Sequence, residues 1–210
     1  AIMCKLRNSD SKELILEAIR MAWPAVLESF FVALAGMIDT MMVSTLGTYA
    51  VAAVGLTTQP KFIALALFLS SNIAVNALAA RRFGQKNREN ANKILYTAIV
   101  FVIISAVIIS TVTFIGADQI IRWCGSNADT HEAGVTYFRV IQAGMIFNVL
   151  SLVINAAQRG CGNTQIAMTT NVTSSIVNIV FNYLLIGGNF GFPRLGMFGA
   201  SLATVLGTVV

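Results

Sequence analysis

Charge is what this sequence has least of. Only 11% of its 210 residues are charged, 14 lysines and arginines against 9 aspartates and glutamates. A water-soluble domain carries about 25%, so this chain lacks the polar surface that would keep it in water. Histidine occurs once. The three cysteines, Cys4, Cys124 and Cys161, have no metal-ligand spacing, which excludes a zinc module, and they are read as free, structurally neutral thiols. The first 18 residues are too polar to hold the apolar core of a cleavable signal peptide. No enzymatic activity and no cofactor are expected.

Apolar residues make up 56% of the chain, and they come in long runs. About 20 such residues cross the hydrocarbon core of a bilayer as a helix. The class is therefore an all-α polytopic membrane protein, with the lipid bilayer as its first partner. Residues 1–22 read as a polar arm. Spans are expected over 23–43, 50–80, 94–117, 137–158 and 166–187, with a sixth over 197–210 that is read as cut short. The second run is too long for an untilted span, and Pro60 is expected to bend it.

The net charge of +5 is not a nucleic-acid signal, because the basic residues gather at the ends of apolar runs. Lys5, Arg7, Lys12, Arg20, Arg81, Arg82, Lys86, Arg88, Lys93 and Arg159 fall on one side, and Arg122, Arg194 and the borderline Arg139 on the other. By the positive-inside rule the N-terminus is cytoplasmic, the location a plasma membrane with multiple passes, and Asp39 lies in the outer half of the first span.

Polar residues inside the spans are the functional signal. A charged side chain at mid-membrane costs roughly 2.5–3.5 kcal/mol on insertion scales and should face protein or water. Asp39 has no basic residue within two turns in sequence. Glu28 lies eleven residues earlier on the same helical face, where it could line a cavity or pair with a cation near the inner boundary. The fifth span carries a stripe of Asn171, Ser174, Ser175, Asn178 and Asn182, and the fourth carries Asn148, Ser151, Asn155 and Gln158. The second offers Asn72 and Asn76, with Gln59 and Lys61 nearer the outside. Turned inward, these faces would surround a wet cavity lined by Glu28, Gln59, Lys61, Asn148, Asn155 and Asn171. Hydrogen bonds between helices serve equally well for the asparagines of spans two and four, and Lys61 also suits snorkelling to the interface. Met37, Met41 and Met42 lack the further soft ligands of a copper site.

Several short motifs stand in order along the chain: Ile38-Asp39-Thr40-Met41-Met42-Val43, Ala52-Ala53-Val54-Gly55-Leu56, Ala80-Arg81-Arg82-Phe83-Gly84-Gln85-Lys86, Gln158-Arg159-Gly160-Cys161-Gly162-Asn163-Thr164, Asn178-Ile179-Val180-Phe181-Asn182 and Gly196-Met197-Phe198-Gly199-Ala200. With them the chain resembles the multidrug and toxic compound extrusion (MATE) family of cation-coupled efflux transporters. That resemblance implies a six-helix transmembrane lobe over 23–210, half of a twelve-helix two-lobe transporter. The sixth helix is then truncated, and the missing C-terminal lobe is a partner. It implies antiport of H⁺ or Na⁺ against small organic cations or drugs. The coupling site falls on Asp39, Asn178, Asn182, Ala200 and Thr204, and Na⁺ at Asp39 is the one metal ion in view. Asn182 stands where several members of the family carry a second aspartate, so the site holds at most one negative charge. Two rival readings are a lipid or lipid-linked oligosaccharide flippase of the same superfamily, which would want cavity arginines, and a non-transporting membrane scaffold, which has no need of Asp39.

Overall fold

A computed structural model describes residues 11–85 and 88–210, and every element among them is helical. Residues 1–10 of the expected polar arm, and Lys86 of the basic loop, lie outside the described residues. From Ser11 onward the arm is continuous with the first span: α1 (Ser11–Ser44) runs 34 residues without a break, with Pro24 inside it. Pro60 lies inside α2 (Thr48–Gly84), which runs 37 residues. At 1.5 Å per residue these helices are about 51 and 55 Å long, well beyond a hydrocarbon core of about 30 Å. Together with α3 (Arg88–Ile115), they are the three single helices among the described residues that are long and apolar enough to cross a membrane. Trp23, Phe30, Ile63, Ile73, Ile104 and Ile115 are all exposed on them, a density of outward apolar side chains that suits lipid rather than water.

The fourth span is not one helix. After the short α4 (Ala117–Trp123), α5 (Ala128–Ala143) and α6 (Met145–Gly160) meet at a 49° bend. The cause lies across the bundle. Gly144 is buried at the bend, and a Cβ there would stand 2.3 Å from Cγ2 of Val205. The backbone turns at the one residue small enough to let the last helix in.

α7 (Thr164–Gly187) is long enough to span at 24 residues, but its asparagines, serines and threonines dilute its apolar character. It packs against α1 on one side and α8 (Gly196–Val209) on the other. Small residues bring α8 close: a Cβ on Gly207 would lie 2.9 Å from both Cβ of Asn178 and the Ser174 carbonyl. Among the described residues three apolar clusters hold the bundle, the smallest joining α4 to α5 around Ile121 and Phe138. Of the other two, one, around Phe68, Val102, Val149 and Val153, ties α2, α3 and α6 together. The other, around Val43, Ala53, Tyr137, Ile186 and Ala200, seals the end of α1 against α2, α5, α7 and α8. Asp39 lies one turn before Val43, beside this second cluster.

Candidate functional site

The helical period sets up the site before any packing does. Glu28 and Asp39 are eleven residues apart on α1, and Asn171 and Asn182 are eleven apart on α7. Eleven residues make three turns, about 16 Å of axis. The two helices lie alongside each other in register, so Glu28 and Asp39 each meet an α7 asparagine 143 positions later. Two polar clusters result.

In the first, the side-chain amide of Asn182 donates to Asp39 Oδ1 and to Asn178 Oδ1, the latter at 3.3 Å. Asn178 donates to Thr204 Oγ1 at 3.3 Å, and Thr204 donates to the Ala200 carbonyl at 3.0 Å. Asp39 is half-buried and Asn182 wholly buried. All five residues that the resemblance assigns to the coupling site are therefore joined. An ionised carboxylate only accepts hydrogen bonds, which fixes the amide orientation of Asn182 and turns its Oδ1 away. That oxygen is buried and has no hydrogen-bond partner. An unsatisfied buried acceptor is costly, and the cluster it belongs to also holds a carboxylate, two further side-chain oxygens and a backbone carbonyl. An all-oxygen set with one negative charge suits a hard monovalent cation or a proton. Among the described residues no group of three or more His, Cys, Asp or Glu could hold a metal ion.

Tyr137 completes this cluster, and sequence reasoning did not single it out. It is 5% exposed, and its hydroxyl lies near Thr204 within electrostatic range of Asp39. A buried tyrosine needs a partner for its hydroxyl, but nothing in an apolar run says that Tyr137 is buried. Lys61 also lies within electrostatic range of Asp39. With Asn148 and Thr204 it lines a small cavity of about 40 Å³.

In the second cluster, Glu28 accepts hydrogen bonds from Arg159 and from Asn171. Asn171 accepts in turn from Asn155 at 3.1 Å, and Asn155 reaches Ser151 at 3.4 Å. The Glu28 side chain is 12% exposed and that of Arg159 36%. The cation that one reading gave to Glu28 is thus Arg159, from the end of α6. Of the six expected cavity residues, Glu28, Asn155 and Asn171 meet here, and Lys61 and Asn148 meet at the smaller cavity. Gln59 is exposed on α2 and joins neither group. Ser151, Asn155, Thr170 and Ser174 line a recess of about 250 Å³ together with Phe147, Ile154 and the end of α8, so its wall is mostly apolar with a few polar groups.

Comparison with known proteins follows the same outline. Residues 24–184 match the family model described as MatE. The chain is 26% identical to a probable multidrug resistance protein NorM of Thermotoga maritima over 205 residues, 98% of this chain and 44% of that protein. It is 27% identical to an FAD transporter of Shewanella oneidensis over 172 residues, 82% of this chain and 38% of that one. Its fold superposes with a TM-score of 0.84 and 28% identity on a MOP superfamily transporter from Pyrococcus furiosus, covering 92% of this chain and 42% of that chain. For that transporter, reversed polarity of the binding pocket has been taken to suggest a different function. The chain spans less than half the length of each of these proteins.

Proposed function

The chain belongs to the MatE family, whose members matched above include multidrug resistance transporters, and on that premise we propose that it forms one lobe of a secondary active efflux antiporter. The single observation that carries this reading is the cluster of Asp39, Asn178, Asn182 and Thr204, with the buried Asn182 Oδ1 unpartnered. H⁺ or Na⁺ entering there neutralises the carboxylate and removes the cost of its burial. Asn182 is then released from Asp39, and the packing of α1 against α7 and α8 changes. α1 bends at Pro24, where the missing amide already weakens the helix. A second lobe, of the kind the longer relatives contain, supplies the surface against which this one rocks. The exported substrate is a small organic cation or drug, held in the mostly apolar recess between α6, α7 and the end of α8.

The flippase reading wants arginines in the cavity. Arg159 is paired with Glu28, and Arg139 is exposed, 5.8 Å over the ring of Phe114. The scaffold reading needs no carboxylate at position 39. The test is export of a fluorescent organic cation from an efflux-deficient host that expresses this lobe with a second one, under an imposed H⁺ or Na⁺ gradient. Export that follows one gradient supports the antiporter. Export indifferent to both sinks it. Membrane placement has its own check: with a cytoplasmic N-terminus, an impermeant maleimide added to intact cells labels Cys124 and spares Cys161.

A further inference from the structure

A groove of about 550 Å³ opens between α2 and α3, and none of the residues of the Asp39 cluster lines it. Val75 and Val102 form its buried floor, and Leu78 and Phe101 stand exposed on its rims. Two hydroxyls line it, but neither is offered to a ligand. Ser71 donates to the Leu67 carbonyl at 3.0 Å and Thr97 to the Lys93 carbonyl at 2.8 Å. The wall is therefore effectively apolar along its length, and among the described residues its charge is confined to one end, at Arg82 and Lys93. Among the described residues no acidic side chain lines it. Arg82 is half-buried and donates to Gln85 at 3.1 Å, and Lys93 is exposed.

The dimensions name the occupant. From Ser71 to Arg82 the groove follows α2 for three turns, about 16 Å. That is half of a hydrocarbon core about 30 Å thick, the depth of one leaflet. Both flanking helices are long and apolar enough to span, so the groove opens sideways into lipid and its basic end falls at the membrane boundary. A basic pocket between transmembrane helices at that level recognises anionic head groups.

We infer that this groove is a binding site for an anionic phospholipid of the surrounding bilayer, its head group on Arg82 and Lys93 and one acyl chain between α2 and α3. The test uses the chain in lipid nanodiscs and compares spin-labelled phosphatidylglycerol with spin-labelled phosphatidylcholine. Arg82 and Lys93 near the surface predict a several-fold preference for phosphatidylglycerol at low salt. Arg82→Gln with Lys93→Gln should bring that ratio near unity. Ala74→Phe keeps every charge and fills the groove from an exposed position, and it should remove the preference too. Circular dichroism of both variants checks that the helices are intact. Equal affinity for the two lipids in the native chain would overturn the proposal. So would a preference that survives Ala74→Phe, which would mean diffuse attraction to basic loops, or displacement of the label by inorganic phosphate alone, which would mean an anion site without a lipid.

Discussion

Removing Arg159 should destabilise the lobe, and removing Glu28 as well should restore most of the loss. Glu28 is 12% exposed and accepts from two donors, one of them charged. Arg159→Met leaves a nearly buried carboxylate with Asn171 as its one remaining donor. Breaking a buried ion pair in this way costs about 3–5 kcal/mol. Arg159 is 36% exposed, so water reaches the pair from one side, and the expected loss falls to about 2–3 kcal/mol. Glu28→Gln should cost about 1 kcal/mol, because the released guanidinium can turn to solvent. The double variant should sit within about 1 kcal/mol of the native chain, a coupling of about 2 kcal/mol. The assay is unfolding in mixed micelles titrated with dodecyl sulfate, followed by helical ellipticity, for all four chains of the cycle. A coupling below about 0.5 kcal/mol would show that the two side chains do not act as a pair.

Two further outcomes follow from single residues. Gly207→Ala should push α8 off α7, because its Cβ would stand 2.9 Å from Asn178 Cβ and the Ser174 carbonyl; the expected cost is about 1–3 kcal/mol, with cation binding weakened as Asn178 moves, both read on the purified variant. At the α4–α5 corner, His131 donates to Asp118 at 2.9 Å, and Arg122 pairs with the same carboxylate at 3.0 Å. The hydrogen bond from His131, with help from Arg122, holds the Asp118 carboxyl below its ordinary value of 3.8. A depressed carboxylate stabilises the fold above its unfolded value and loses that contribution as pH falls through the folded one, so the protection of α4 amides relative to the unfolded chain should fall once the pH drops below about 4, and His131→Ala should show the weaker protection already at neutral pH.

The sequence was informative wherever a signal is local. Apolar runs located the helices, and the period of Asn171, Asn178 and Asn182 put them on one face of α7. The shared spacing of Glu28 with Asp39, and of Asn171 with Asn182, was legible too. That these two faces meet was not, because pairing depends on which helices become neighbours. The break at Gly144 was hidden for the same reason: its cause, Val205, lies on another helix. Tyr137 and Arg159 were read as a span boundary and a topology signal, and each acquires its role only from a partner far away in the chain, Thr204 and Glu28. Gln59 illustrates the converse, since proximity in sequence to Lys61 did not bring it to a shared site.

All the residues of the proposed coupling site lie within this chain, so its central residue can be tested on the chain itself. The measurement is the number of cations bound per protein, by radioactive sodium at fixed pH and by proton release when sodium or an organic cation is added to the purified chain in unbuffered micelles, in the native protein and in Asp39→Asn. One carboxylate predicts one H⁺ or Na⁺ per native chain and none in Asp39→Asn, with Glu28→Gln unchanged. Native stoichiometry in Asp39→Asn would contradict the account and move the site elsewhere.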